Sequence, residues 1–183
     1  MNIPNLFTLI RIVLIPILII FLINGRFFEA LIVFSLAGVT DALDGLIARM
    51  LRQKTKIGAI LDPIADKLLL TSSYVTLAVV GRLPNWLAIV IISRDIIIVA
   101  GVLILFLLQE DVEIKPTVLG KLTTLSQLGT IFIVLLGQQI GVFAPLVRVS
   151  GLLTAALTVS SGAHYMFLGI SLLGKLDTGM HRH

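Results

Sequence analysis

The sequence predicts an all-α protein, a polytopic membrane helix bundle of about six transmembrane helices forming one domain over residues 1–183. Three observations predict it. First, 57% of the residues are hydrophobic and 13% are charged, whereas soluble domains carry roughly 25% charged residues. Second, several apolar runs reach the roughly 20 residues that a helix needs to cross a bilayer. Third, the runs are punctuated by short polar breakers such as Asn24-Gly25-Arg26 and Gly81-Arg82-Leu83-Pro84. Lipid offers no partners to backbone N–H and C=O groups, so only helices and closed barrels span it, and runs of this length are helical.

The spans follow in order. The first covers residues 6–23 and ends at Asn24-Gly25-Arg26; it is too long for a signal-peptide core and no small-residue cleavage pattern follows, so it reads as a retained helix. The second covers 28–50. The third covers 58–80 and contains Pro63, which lacks an N–H and marks either a helix start or a kink. The fourth covers 85–108, with Trp86 at its end fitting an aromatic belt. The fifth covers 120–139 and the sixth 145–173, leaving a short, frayed C-terminal tail.

Charge sets the orientation. Arg49, Arg52, Lys54, Lys56, Lys115, Lys121, Lys175 and Arg182 fall on one side of a six-span chain, and Arg26, Arg82 and Arg148 on the other. The positive-inside rule puts the first group, both termini and the ends of spans two and three in the cytoplasm. The same rule accounts for the net charge of +4 without nucleic acid. Cysteine is absent, which excludes disulfides, thiolate metal sites and cysteine nucleophiles.

Four of the ten acidic residues lie between Asp41 and Asp66: Asp41, Asp44, Asp62 and Asp66. Ionisable groups inside lipid cost a few kcal/mol or more and mark function. Asp41 and Asp44 are spaced i, i+3 and Asp62 and Asp66 i, i+4, so each pair shares a helix face. The short basic linker from Arg49 to Ile57 predicts that the two faces oppose each other in one four-carboxylate pocket. Hard divalent cations take oxygen ligands, and such a pocket suits two of them, Mg²⁺ or Mn²⁺, about 3.5–4 Å apart. Gly45 and Gly58 remove bulk beside the acids where a ligand approaches, and Ala48 does likewise. A lone D-x-x-D-G often marks only a turn; the longer pattern inside lipid-grade sequence is far harder to explain that way.

Asp41, Asp44, Gly45, Ala48, Arg49, Gly58, Asp62 and Asp66 match the signature of the CDP-alcohol phosphatidyltransferase family at all eight positions. The chain also resembles that family at its Asn-Ile-Pro-Asn start, Arg11, Ser93-Arg94-Asp95, Gly120-Lys121, and Ser161-Gly162 with Tyr165. The resemblance is to the branch that makes phosphatidylglycerophosphate or cardiolipin. It implies that Asp41, Asp44, Asp62 and Asp66 hold two metals on the diphosphate of CDP-diacylglycerol. It implies further that Asp66 takes the proton of the acceptor hydroxyl and that Gly45, Ala48, Arg49 and Gly58 line the nucleotide pocket. A homodimer in a bacterial inner membrane, with its active site on the cytoplasmic face, is likewise implied.

Arg94 suits bidentate phosphate recognition and, with Lys121, is the candidate acceptor site; the alternatives are that Arg94 partners a motif aspartate and that Lys121 is an interfacial lysine. Consecutive helical residues point in different directions, so Arg94 and Asp95 are not expected to pair. Lys67 stays unassigned. Arg11 interrupts the first span and is expected to face protein near the acidic pocket, whereas His164 and Tyr165 read as packing or interfacial residues. Phosphatidylglycerophosphate synthases of the branch typically carry Arg-Glu followed by a further Arg, whereas this chain has Arg94-Asp95 and then Val102. Its Ser-Arg-Asp resembles the cardiolipin synthases. The leading expectation is transfer to glycerol 3-phosphate, with phosphatidylglycerol as the alternative acceptor. A divalent-cation transporter is the remote alternative, and it would need polar residues continuing through the membrane.

Overall fold

A computed structural model describes residues 3–51, 56–107, 117–140 and 144–180, with side chains described over 8–41, 61–101, 103, 117–139, 145–169 and 171. Six helices follow in order: α1 (Ile3–Ile23), α2 (Phe27–Leu51), α3 (Lys56–Val79), α4 (Asn85–Leu107), α5 (Val118–Ile140) and α6 (Ala144–Met180). There is no strand among the described residues. Each of the six expected runs is a helix, displaced by a few residues at its ends. Two differences are larger. Pro63 lies inside α3, seven residues after the helix begins, so it does not start the helix. Further along the chain, α6 runs on to Met180, carrying into the helix the start of the tail that reads as frayed in the sequence.

Two of the connections are glycine-capped. Gly25 at φ 70° and Gly81 at φ 69° take the left-handed conformation that glycine adopts without steric cost. In each, the residue after the glycine bonds back across the helix end: Arg26 N–H donates to Phe21 O at 2.9 Å, and Arg82 N–H to Leu77 O at 2.8 Å. Gly25 N–H to Leu22 O and Gly81 N–H to Ala78 O complete a Schellman pair at both ends.

Packing differs from the simple hairpin that the short linker suggests. Among the described residues α2 and α3 do not pack on each other; α1 and α5 each pack on both. The reason lies in the buried seam of α1. Thr8, Arg11, Ile15, Leu18 and Leu22 are all buried and recur at the three- and four-residue spacing of one helix face. The apolar end of that seam joins Phe34, Tyr74 and Leu77 in the core. Its polar end meets the acids.

Unlike a soluble bundle, this one is apolar outside as well as in its core, and it buries a set of polar side chains besides. Leu, Ile, Val and Phe side chains are exposed on all six helices, Val13, Leu36, Val75, Val99, Leu125 and Phe167 among them. The interior holds Thr123, Gln127, Thr130, Thr154 and Thr158. These residues join α5 to α6: Thr130 Oγ1 lies 2.8 Å from Thr154 Oγ1, and Thr154 Oγ1 donates to Ser126 O at 3.0 Å. Small polar side chains bonded across helices are how helices associate in lipid. Val118–Gln139 and Pro145–Gly169 are each long and apolar enough to cross a membrane.

Candidate active site

The acidic end is built on α1, α2 and α3. The Arg11 side chain is fully buried, and one guanidinium serves two carboxylates. Its Nη1 donates to Asp66 Oδ1 at 2.6 Å. Its Nη2 forms an ion pair with Asp41 Oδ1 at 2.7 Å without hydrogen-bond alignment, and Nε has no partner among the described residues. One turn earlier on the same face, the Thr8 hydroxyl donates to Asp62 Oδ1. The Asp41 and Asp66 side chains remain 50% and 43% exposed. Arg11 therefore backs the acids from the protein side and leaves them open on the other.

The second group is a cleft of about 480 Å³ against α3, α4, α5 and α6. Asp95 Oδ1 takes two cations at once, Lys67 Nζ at 2.5 Å and Arg94 Nη1 at 2.8 Å. The pairing of Arg94 with Asp95 corrects the expectation that these neighbours diverge. Their Cα–Cβ bonds do, but a guanidinium on a long stem reaches round the helix to the short carboxylate beside it. The other end of the fork, Arg94 Nη2, donates to Ser161 Oγ at 2.9 Å. Among the described residues Arg94 therefore partners no motif aspartate, whereas Arg11 partners two. Lys121 lines the same cleft and has no ion pair with a described residue.

Tyr165 belongs to this cleft as well, which the reading of it as a packing residue missed. It follows Ser161 by four residues, hence on the same face of α6. Its ring stands 5.8 Å from the Arg94 guanidinium, and its Oη accepts from Thr117 N at 3.2 Å. The fit is tight at Gly120, where a Cβ would stand 3.1 Å from Tyr165 Oη and 3.3 Å from Thr117 Oγ1, so those side chains would have to give by a few tenths of an ångström. The i, i+4 spacing of Ser161 and Tyr165 was the available signal. His164, by contrast, is exposed.

Asp44, Gly45, Ala48 and Arg49 fall in the second half of α2 and Gly58 in the first turn of α3, where side chains lie outside the described residues, as does that of Val102. Among the described residues no three acidic or imidazole side chains gather as a ready metal-binding group. The donor set nevertheless fits a hard divalent ion. Three described carboxylates against one guanidinium leave two negative charges uncompensated, on oxygen ligands with open faces.

The described residues form a helical bundle that sets a net-negative, acid-rich end beside a cation-lined cleft. The profile of the CDP-alcohol phosphatidyltransferase family matches residues 1–162, and the chain belongs to that family. Its members use divalent metal ions and act on a CDP-lipid and an alcohol acceptor. With that membership and two helices able to cross a bilayer, the chain is a membrane protein.

Several relatives are informative. The chain is 33% identical over 184 residues to a probable phosphatidylglycerophosphate synthase of Mycobacterium tuberculosis, covering 96% of this chain and 85% of that one. It is 47% identical over 107 residues to the CDP-diacylglycerol–glycerol-3-phosphate 3-phosphatidyltransferase of Pseudomonas fluorescens, covering 55% of this chain and 54% of that one. It is 45% identical over 102 residues to the CMP-forming cardiolipin synthase of Rattus norvegicus, covering 55% and 34% respectively. The chain thus spans only 34% of the rat cardiolipin synthase and 46% of a probable one of Drosophila melanogaster.

Proposed function

We propose that this protein transfers a phosphatidyl group from CDP-diacylglycerol to glycerol 3-phosphate, releasing CMP and making phosphatidylglycerophosphate. One observation carries the reading: Asp66 and Lys67 are neighbours on α3, and they face the acid end and the cation cleft respectively. A donor diphosphate held at the first and an acceptor phosphate held at the second would meet within one helical turn.

In this reading Asp41, Asp44, Asp62 and Asp66 hold two divalent ions, Mg²⁺ or Mn²⁺. Bound there, such ions neutralise the diphosphate and lower the pKa of an attacking hydroxyl. Gly45, Ala48, Arg49 and Gly58 line the cytidine pocket. Arg94 and Lys121 orient the acceptor phosphate. The acceptor hydroxyl oxygen forms a bond to the lipid-side phosphorus, the bond from that phosphorus to the CMP oxygen breaks, and Asp66 takes the hydroxyl proton. Positioning and charge compensation supply most of the catalysis in phosphoryl transfer. Arg11 holds Asp66 in place for this work.

The setting we propose is a bacterial inner membrane, crossed six times, with the site on the cytoplasmic face. The shortest helix, α1, has 21 residues and at 1.5 Å per residue extends about 32 Å, enough for a hydrocarbon core of about 30 Å. Exposed apolar side chains on every helix support lipid contact all round. A homodimer is part of the reading and is checked by mass measurement in detergent.

A specific observation favours a second acceptor, phosphatidylglycerol, which would make the enzyme a cardiolipin synthase. The cleft wall beside the cations includes Val99 and Leu125, both exposed on the outer surface, where acyl chains could lie. The deciding experiment supplies purified protein with CDP-diacylglycerol, Mg²⁺ and either acceptor, and follows CMP. Preference for glycerol 3-phosphate supports the first reading and preference for phosphatidylglycerol the second. Metal uptake into vesicles without CMP release would overturn both.

A further inference from the structure

The cleft is a charge balance, and one residue sets it. Lys67, Arg94 and Lys121 bring three positive charges to its wall, and Asp95 brings one negative charge. The Asp95 side chain is 12% exposed, and its Oδ1 engages both Lys67 and Arg94. Its Oδ2 is buried with no hydrogen-bond partner among the described residues. Among the described residues the hydrogen-bond partners of this carboxylate are these two cations. Lys121 is left outside the arrangement.

We propose that Asp95 sets the net charge of the cleft in this chain, whose position 102 is Val rather than a further Arg, and so weakens its hold on a phosphate monoester relative to a diester. This rests on the phosphatidyl-transfer reading of the cleft as the acceptor site. With Asp95 ionised, two of the four charged groups cancel and the cleft keeps two uncompensated positive charges. A phosphate monoester carries close to two negative charges at neutral pH, and a phosphodiester carries one. The carboxylate lies against the cations that would meet either phosphate, so it repels the monoester more than the diester. Asp95 thus lowers the preference for a monoester such as glycerol 3-phosphate and permits a diester headgroup. Discrimination of this kind comes from a repulsive element as much as from attraction.

Asparagine at this position is nearly isosteric and still accepts hydrogen bonds from Lys67 and Arg94, so Asp95→Asn removes charge with little change of shape. The measurement is the dissociation constant of glycerol 3-phosphate and of glycerophosphoglycerol, a soluble diester, on the full chain in detergent, by titration calorimetry. The expected result is a gain of about tenfold in monoester over diester affinity in Asp95→Asn, with Asp95→Glu staying close to wild type. An equal change for both ligands overturns the proposal and leaves Asp95 a structural residue. Should Asp95→Asn fail to fold, Asp95→Ser removes the same charge and must shift the ratio the same way; an unmoved ratio there overturns it equally. CMP release is followed in parallel. A wild-type protein that makes no CMP with either acceptor sinks the phosphatidyl-transfer reading, while the affinity ratio still decides the role of Asp95.

Discussion

The acid end and the basic cleft are mirror images in charge. At the first, one buried cation, Arg11, serves two carboxylates, Asp41 and Asp66. At the second, one nearly buried carboxylate, Asp95, serves two cations, Lys67 and Arg94. Each cluster is stabilised by a single opposite charge that is too little to neutralise it. Leaving ions fully unpaired in a low-dielectric interior is prohibitive, and pairing them completely would leave nothing to attract a ligand. Among the described residues the acid end stays negative and the cleft positive, as the proposed metal and phosphate sites require. α3 carries both signs, with Asp66 turned to one cluster and Lys67 to the other.

The comparison breaks first at the acid end. Asp66→Asn should reduce CMP release by about a thousandfold or more, the scale of losing both a positioned base and a ligand charge, while the helical circular dichroism stays unchanged. Activity retained in that variant, or full activity in excess chelator, would refute the proposed chemistry of this end. Arg11→Met comes next. It leaves two carboxylates facing each other without their shared cation, so turnover should fall by roughly tenfold to a hundredfold. The thermal midpoint of this variant in detergent should become more dependent on added Mg²⁺ than that of the wild type, because the metal then supplies the only compensation. Equal Mg²⁺ dependence would make Arg11 a packing residue.

The cleft should answer in a different kinetic constant. Arg94→Ala is expected to raise the KM for the acceptor about tenfold or more, with the KM for CDP-diacylglycerol close to wild type. Asp41→Asn should show the converse, weaker binding of metal and CDP-diacylglycerol, with the acceptor KM close to wild type. If both variants affect donor and acceptor alike, the division of labour between the two clusters is wrong. The smallest effect belongs to the support of the cleft. Tyr165→Phe loses only the bonds to Thr117, about 0.5–1.5 kcal/mol, and a several-fold rise in acceptor KM would register it. Gly120→Ala should be at least as severe, since its Cβ would meet the Tyr165 hydroxyl at 3.1 Å.

Much of this protein is legible in one dimension. Hydropathy and breakers alone outline six helices, because long apolar runs bounded by turn residues fold as helices; two of them are also long and apolar enough to cross a membrane. The motif acids stand out because carboxylates are rare in such sequence and cost free energy there. Arg11 was expected near them for the same reason, and its place on the seam Thr8, Arg11, Ile15, Leu18, Leu22 bears that out.

Only the tertiary structure decided who pairs with whom. That α1 packs on both α2 and α3 while those two do not pack on each other is a property of the tertiary packing, and no local spacing carries it. Arg94 bonds Asp95 because a flexible four-bond stem lets a guanidinium reach well beyond the direction of its own Cα–Cβ bond, a freedom that helical-wheel geometry ignores. Lys67 and Tyr165 join the cleft from α3 and α6, far apart in sequence, and their roles exist only once those helices meet around α4. Composition and period determine which segments are helices and which residues are costly in lipid; the partner that offsets each cost is a property of three-dimensional proximity.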